Sequence, residues 1–322
     1  MTRVEAPAGR AVCVVIDRRQ VERLGQLIQD HFEGMAPVQE RWDDPKFWNV
    51  EASKAERCQY LAVGNAINFR FWSRPGSELV PSVGRIEGDV LRGSMYMWRR
   101  LRIAVERGDL PLDASALAHL SEDQFKLAFT DDNGHFPLVQ GWRDRVENLR
   151  DLGQRLIKNW DGQFVNVIDA ANGSLESFAA ISSTFRAFDD PIRKLTMVNA
   201  IMLSGSGLAH FDRDPAPGVD YHLIRQALRQ GLVVPTAQLA ASLKTGGTLE
   251  QPDSIGLRMA VLDALIEVAT QAGISTAVLD NLYWMNRRVC ADDAPACTEC
   301  VFSAQCARKT QYGSPAEWTR YY

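Results

Sequence analysis

The hydrophobic residues of this chain recur mainly every three or four positions, with charged residues between them. This spacing places apolar side chains on one face of a helix, whereas the alternation typical of strands is rare here. The pattern predicts an all-α fold. Helices are expected at about 17–33, 93–108, 142–158, 190–203, 220–231 and 254–273, with shorter ones beginning near residues 56 and 121 and around 175–185. On the helix at 142–158, Arg145 is expected to be a surface or ion-pair residue.

Residues with capping preferences mark the ends of several predicted helices. Ser121 is a suitable N-cap, and Gly231 is a suitable C-cap because glycine adopts the left-handed conformation without strain. Asp220 stands at the N-terminus of the helix predicted within the stretch 217–231, where the positive end of the helix dipole favours an ionised carboxylate. In the stretch 190–203, Asp190 is expected to begin the helix and Lys194 to lie one turn in.

Composition and charge are those of an ordinary globular protein. The chain has 322 residues, 46% hydrophobic and 24% charged, enough for one large or two modest packed units. Its 36 Lys and Arg against 40 Asp and Glu give a net charge of −4, so any nucleic-acid surface must come from local clustering. No run of about 18 apolar residues and no signal-peptide pattern occur, so we expect no membrane span and a cytoplasmic location. We also expect a monomer.

Four of the six cysteines lie within one short segment. They are separated by gaps of six, two and five residues: Cys290, Cys297, Cys300 and Cys306. Thiolates clustered this tightly in an irregular loop favour a [4Fe-4S] cluster, which needs four of them around one cube. A zinc site is the first alternative, although four-cysteine zinc sites usually pair two short knuckles. A disulfide framework is the second alternative, and a reducing cytoplasm disfavours it.

The cysteine spacing resembles the cluster loop of endonuclease III and adenine glycosylases, which belong to the helix-hairpin-helix DNA glycosylase superfamily. The stretch 217–231 resembles their VDTHVxRVxxRLG motif through these residues: Val219, Asp220, His222, Arg225, Arg229 and Gly231. The resemblance covers about residues 190–306 and departs from the pattern at 190–192, where the hairpin glycines are missing. It implies a two-lobed helical fold with the active site in the groove between the lobes, a [4Fe-4S] cluster on the four cysteines, and DNA as a partner.

A second resemblance runs nearly end to end. The aromatic segment (residues 68–72, Asn-Phe-Arg-Phe-Trp) is similar to the AxNFxFW element of the queuosine-salvage family, whose members are nucleotide N-glycosylases. The family motif ADYRxPQVLRxLG is matched through Asp220, Tyr221, Leu228 and Gly231. Three aromatic rings and an amide suit a wall that stacks on a planar base and reads its edge, and the alternative is an aromatic core cluster. The expected substrate-binding residues are Asn68, Phe69, Phe71, Trp72, Tyr221, His222 and Arg225.

Both resemblances imply that Asp220 is catalytic. Breaking a base–sugar bond develops positive charge at the anomeric carbon, so a carboxylate beside it stabilises the transition state and can orient or deprotonate the attacking water. The alternative is an ordinary N-cap aspartate. Lys194 is the second catalytic candidate, and two roles stay open for it. Its amine either attacks the sugar, as in lyase-competent glycosylases, or contacts the substrate without forming a Schiff base.

These observations predict an N-glycosylase that acts on a bulky modified base. The leading interpretation is a DNA glycosylase that flips out a modified base, for which hypermodified viral DNA gives a host-defence context. The alternative is a queuosine 5′-phosphate N-glycosylase in nucleotide salvage, and an alternative of another class is a non-catalytic nucleic-acid-binding module. We expect three regions: a helical region with the aromatic segment at 1–165, a catalytic helical region at 166–286, and the cluster loop with the tail at 287–322.

Overall fold

The computed structural model describes residues 14–35, 42–73, 80–244, 248–317 and 319–321. It is mostly helical, which confirms the all-α prediction. The α-helices are α1 (Arg18–Met35), α2 (Lys54–Ala66), α3 (Gly93–Arg107), α4 (Ala114–Ala118), α5 (Glu122–Ala128), α6 (Trp142–Asn159), α7 (Phe164–Ala171), α8 (Leu175–Ser182), α9 (Lys194–Gly205), α10 (Tyr221–Gln230), α11 (Ala237–Lys244), α12 (Gln251–Ala272) and α13 (Thr276–Asn286).

Short strands, which the sequence pattern did not predict, pair as three antiparallel two-stranded sheets. The strands are β1 (Val14–Ile16), β2 (Trp72–Ser73), β3 (Val80–Pro81), β4 (Val83–Ile86), β5 (Asp89–Arg92) and β6 (Val233–Pro235). Their pairs are β1 with β6, β2 with β3, and β4 with β5. Strands of two to four residues are too short to produce a readable alternation, so periodicity does not detect them.

The first of two compact units combines two distant stretches, residues 1–39 and 216–318. In its core α1 packs along α12, and Leu24 and Ile28 of α1 are fully buried. At Gly25 a Cβ atom would lie 2.4 Å from the side chain of Gln271 on α12. This close approach requires glycine at position 25.

The second unit comprises residues 40–215 and 319–322. Its core forms around α2, which packs against α6, α7 and α9. Leu61 of α2, Leu149 of α6 and Phe164 of α7 are buried there. At Gly153 a Cβ atom would lie 2.4 Å from the carbonyl oxygen of Ala114, so glycine at this position lets α6 approach α4.

The units do not follow the three regions expected at 1–165, 166–286 and 287–322. The difference arises because α1 packs with α12, far along the chain, and because the segment 319–321 packs with residues 40–215. Asp220 and the four clustered cysteines therefore belong to the first unit, and the aromatic segment and Lys194 belong to the second. Within the described ranges no single helix is long and apolar enough to cross a membrane, and α12 with α13 meets those criteria only as a pair bent by 111°.

Candidate active site and cysteine loop

Asp220 is the N-cap of α10, as the sequence predicts. Its Oδ1 accepts hydrogen bonds from the backbone N–H groups of His222 at 2.8 Å and Leu223 at 3.0 Å. The turn before it is held by the Gly218 N–H, which donates to Asp280 Oδ1 at 2.8 Å. Among the residues that the structure describes, none donates to Oδ2, and Asp220 is only half-buried. One carboxylate oxygen is thus held by the helix cap.

Tyr221 and His222 follow on the first turn of α10, half-buried, with ring centroids 4.3 Å apart. Burial raises the pKa of Tyr221 above its ordinary value, so its phenol is protonated and can donate a hydrogen bond. Burial also lowers the pKa of His222 to about 4, which Asp220 opposes and the Arg225 and Arg287 cations reinforce. Arg225 Nη1 lies 3.2 Å from His222 Nδ1, so that nitrogen acts as an acceptor on a neutral imidazole.

A pH-dependent stability follows from the neutral His222. Its pKa is 6.5 as a free side chain and about 4 in the folded protein, so below about pH 6.5 unfolding takes up a proton. Between neutral pH and about pH 4, the free energy of unfolding is expected to fall by about 2 kcal/mol more in the wild type than in His222→Gln. Chemical denaturation across this pH range measures the difference, and His119→Gln, at an exposed histidine of the second unit, is the control. Equal pH slopes for the wild type and His222→Gln would contradict this account.

Arg225, predicted to bind substrate, lies against the cysteine loop (residues 290–306). Its side chain is 1% exposed, and Nη1 donates to Asp292 Oδ2 and to Ser314 Oγ, each at 2.6 Å. Arg225 therefore has a structural role within the first unit, and these contacts favour that role over direct substrate binding.

The four cysteines of the loop line one small cavity that is partly open to solvent. They are free thiols, as is Cys58, so the disulfide alternative does not hold for the described cysteines. Arg229 Nη1 lies 3.5 Å from Cys290 Sγ, and the Arg308 N–H donates to Cys306 Sγ at 3.4 Å. Donors at these distances stabilise thiolate sulfurs.

The thiols that line this cavity are the predicted metal ligands. Burial raises the pKa of Cys300 and Cys306, so metal binding at these thiols would release protons. In the described part of the chain, no three His, Cys, Asp or Glu side chains are close enough to hold one metal ion. Tetrahedral zinc needs its sulfurs about 2.3 Å from a single point, whereas a cluster spreads four thiolates around a cube. The four thiols line one cavity, and the [4Fe-4S] group and the zinc alternative both stay predictions.

The aromatic segment is buried in the second unit. Phe69 is 1% exposed, and Phe71 and Trp72 are each 6% exposed. The guanidinium of Arg145 lies over the rings of Phe69 at 4.4 Å and Phe71 at 5.3 Å. These contacts favour the core-cluster alternative for Phe69 and Phe71. Asn68 is 9% exposed and lies at the start of the segment, beside the helix that carries the predicted lysine.

Arg145 is fully buried in the second unit. The expectation of a surface position is wrong, because α6 turns Arg145 onto the same buried face as Leu149. Its guanidinium donates to the carbonyl oxygens of Ile67 at 3.0 Å, of Phe69, and of Arg70 at 3.2 Å. By binding these carbonyls, Arg145 fixes the path of the aromatic segment. Its spacing of four residues from Leu149 was the sequence signal for burial.

Lys194 is the first residue of α9. The prediction that this helix begins at Asp190 is wrong, because the Asp190 carboxylate binds the N–H groups of Ile192 at 3.2 Å and Lys194 at 2.9 Å. Arg193 then adopts a left-handed conformation with a φ of 59°, which interrupts a helical path before Lys194. Lys194 is 6% exposed, and its Nζ donates to the Asn68 carbonyl at 2.9 Å. The lysine therefore holds the start of the aromatic segment.

The segment 319–321 also packs in the second unit. Arg320 Nη2 pairs with Asp189 Oδ2 at 2.8 Å, and Arg70 Nη1 donates to the Thr319 carbonyl at 3.4 Å. This segment therefore contacts both the turn before Lys194 and the aromatic segment. Trp318 and Tyr322, on either side of it, lie outside the described residues.

Comparisons with known proteins agree with the second resemblance. Residues 48–197, which include the aromatic segment and Lys194 but neither Asp220 nor the cysteine loop, match the family model for "Queuosine salvage protein". The chain is 30% identical over 195 residues to the "Queuosine 5'-phosphate N-glycosylase/hydrolase" of Sphaerobacter thermophilus, an alignment that covers 57% of each protein. It is 24% identical over 172 residues to the protein of the same name from Nematostella vectensis, covering 53% of this chain and 48% of the relative.

The chain spans about half the length of these two curated relatives. The helix-hairpin-helix resemblance, which rests on residues 190–306, lies mostly outside the matched range and stays a prediction. The part of the chain that carries the aromatic segment, Arg145 and Lys194 is thus similar to the queuosine salvage family.

Proposed function

We propose that the protein is a hydrolase that cleaves the N-glycosidic bond of a nucleotide with a modified base, with queuosine 5′-phosphate as the first substrate to test. The observation that carries the proposal is the match of residues 48–197 to the queuosine salvage family, together with the similarity to two queuosine 5′-phosphate N-glycosylase/hydrolases. This reverses the order of the interpretations from the sequence, in which DNA was the leading substrate. The DNA interpretation now rests on the cysteine loop and the 217–231 motif alone.

In this proposal Asp220 stabilises the reacting sugar. As the base–sugar bond breaks, the base leaves with the bonding electrons and the anomeric carbon becomes positive. Oδ2 lies beside that carbon or accepts a proton from the attacking water, while Oδ1 stays bound to the N–H groups of His222 and Leu223. The water adds its hydroxyl to the carbon, and its proton passes through the carboxylate to the departing base. The protonated phenol of Tyr221 is a donor on the same turn.

Lys194 acts in this proposal as a hydrogen-bond donor and not as a nucleophile. Its bond to the Asn68 carbonyl already occupies one N–H of the ammonium, which can donate three. Asn68 and Trp72 are the residues of the aromatic segment proposed to meet the base. Phe69 and Phe71 belong to the buried cluster with Arg145 and are not proposed to contact the base.

We also propose that Cys290, Cys297, Cys300 and Cys306 hold a [4Fe-4S] cluster. Four free thiols around one cavity, with Arg229 and Arg308 donating toward the sulfurs, support this assignment. When bound, such a group would cross-link the cysteine loop, and no step of the hydrolysis passes through it. Iron and sulfide analysis of anaerobically purified protein tests the assignment.

A DNA glycosylase is the second candidate. It is favoured by the cysteine loop, whose four thiols line a cavity, and by the two basic residues after it, Arg308 at the cavity wall and Lys309. Basic residues beside such a loop suit contacts to a phosphate backbone. A host-defence context belongs to this candidate only.

One experiment separates the candidates. The protein is incubated with queuosine 5′-phosphate and, separately, with DNA that carries bulky modified bases, and free base is quantified by mass spectrometry. Release from the nucleotide, with none from an unmodified guanosine nucleotide, is the expected result. Release from DNA alone would replace the proposal with the second candidate. DNA binding without release from either substrate would favour the non-catalytic binding module.

A further inference from the structure

The polar side of α10 is buried beneath the cysteine loop. Residues three or four apart on a helix share a face. On α10 this face carries two charged and two amide side chains, each at most 3% exposed: Arg225, Gln226, Arg229 and Gln230. The helix that begins at Asp220 thus turns its polar side chains inward, toward the loop.

Arg229 binds the backbone of the loop at several points. Its guanidinium donates to the carbonyl oxygens of Ala291 at 2.6 Å, Asp292 at 3.0 Å and Tyr312 at 2.6 Å. The Arg229 carbonyl in turn accepts the Lys309 N–H at 3.0 Å. Arg229 therefore joins α10 to the first part of the cysteine loop and to the segment that follows the loop.

Arg225 makes a second connection through Asp292. The carboxylate of Asp292 pairs with Arg225 at 2.6 Å and also accepts the N–H of Ser314 at 2.6 Å. Asp292 lies between Cys290 and Cys297, so this ion pair joins the helix to the part of the loop that carries the thiols.

Gln226 makes a third connection through Asn286. The Asn286 amide donates to Gln226 Oε1 at 2.8 Å, and its oxygen accepts from Cys300 Sγ at 3.5 Å. Through Gln226, Asn286 therefore links α10 to Cys300 while that thiol keeps its proton.

These contacts make the position of α10 depend on the loop. If the loop opened, Arg225 and Arg229 would be left as buried cations without their partners, which is strongly destabilising. The helix would then have to rearrange so that the two cations reach water. Asp220 caps this helix, so a rearrangement would also disturb the bonds from its Oδ1 to the N–H groups of His222 and Leu223.

We propose that the cysteine loop is a latch that holds Asp220 in its working position, with Arg225 and Arg229 as the positioning residues. The idea rests on the proposed function, because it gives the loop control over the catalytic carboxylate. Breaking the contacts of Arg225 and Arg229 with the loop is expected to loosen the N-terminus of α10. The cysteine loop would then regulate the enzyme without touching the substrate.

Hydrogen–deuterium exchange tests the latch without any substrate. In Arg229→Lys the positive charge remains, but the planar guanidinium whose N–H groups bind the loop is lost. The amides at residues 222 and 223 are therefore expected to exchange about tenfold faster. Cys297→Ser is expected to have the same effect. In the second unit, the Ala116 N–H donates to the carboxylate of the N-cap Asp113. Its exchange rate should not change and serves as an internal reference.

Matched controls use an arginine and a cysteine that lie outside the latch. Arg150→Lys changes an arginine that bonds the Leu120 carbonyl and Glu147, and Cys58→Ser changes a buried thiol of the second unit. Both should leave exchange at 222 and 223 unchanged. If Arg229→Lys does not fold, Asp292→Asn removes the ion pair from the loop side and takes its place.

Two outcomes decide the proposal. Faster exchange at 222 and 223 in the latch variants supports it, even if no tested nucleotide or DNA is hydrolysed. Faster exchange at Lys309 and Ser314 with no change at 222 and 223 would overturn it, because the loop would then move without the helix. On a hydrolysed substrate, Arg229→Lys is expected to lower kcat about tenfold with KM unchanged, since the latch positions Asp220 and not the substrate.

Discussion

Asp220→Asn is expected to lower kcat/KM for base release about 10³-fold, equivalent to about 4 kcal/mol of transition-state stabilisation. Asparagine keeps an oxygen for the N–H groups of His222 and Leu223, and it is as good an N-cap as aspartate, so α10 should stay folded. The substitution removes the negative charge that Oδ2 presents to the developing cation. Steady-state release of free base, measured by mass spectrometry on the substrate found active, gives the comparison.

Asp113→Asn is the matched control for this substitution. Asp113 is the N-cap of α4 and accepts the Ala116 N–H at 2.8 Å, so the same chemical change occurs at a cap in the other unit. Its kcat/KM should stay within about twofold of the wild type. If Asp220→Asn also kept most of the activity, the carboxylate would be an ordinary cap and the assignment of Asp220 would fail.

Lys194→Met is expected to lower kcat/KM about 100-fold, because the aromatic segment would lose the donor that holds its first residue. The Lys194 Nζ lies 2.9 Å from the Asn68 carbonyl oxygen, and methionine fills similar space without donating. Borohydride added during turnover should trap no covalent adduct with the wild type, since the lysine is proposed as a donor and not as the attacking amine. Kinetics and intact-protein mass spectrometry measure the two effects.

Lys126→Met is the matched control for Lys194→Met, because Lys126 contacts a different partner. The Lys126 ammonium lies 4.1 Å from the centroid of the Trp142 ring, also in the second unit, and makes no contact with the aromatic segment among its described interactions. This variant should retain normal activity. A borohydride adduct that forms in the wild type and disappears in Lys194→Met would show instead that Lys194 attacks the sugar.

Helix positions and caps were readable from short stretches of the sequence. Ser121 forms the predicted cap with its capping box, and Gly231 has a φ of 81° at the end of α10. The start of α9 was not readable, because it depends on the Asp190 side chain competing with helical hydrogen bonds and on the left-handed Arg193. Such local competition between side chain and backbone leaves no periodic signal.

The candidate site was predicted in part. Asp220 is an N-cap with one oxygen fixed, and the four clustered cysteines line a common cavity, as their spacing suggested. Arg225 was assigned to the substrate from its motif, yet it lies 2.6 Å from Asp292 in the cysteine loop. A motif identifies a residue but does not say which face of the helix meets the substrate and which meets the protein.

Hydrophobic spacing and capping chemistry are local properties, so the sequence sufficed for the all-α class, for α10 and its aspartate cap, and for the grouping of four thiols. Contacts between residues far apart in the chain carry no such local mark. The burial of Arg145 beneath the aromatic segment, the attachment of α10 to the cysteine loop, and the packing of α1 on α12 therefore emerged only in the folded protein. Each depends on a buried donor or a close helix approach that exists only once distant segments have met.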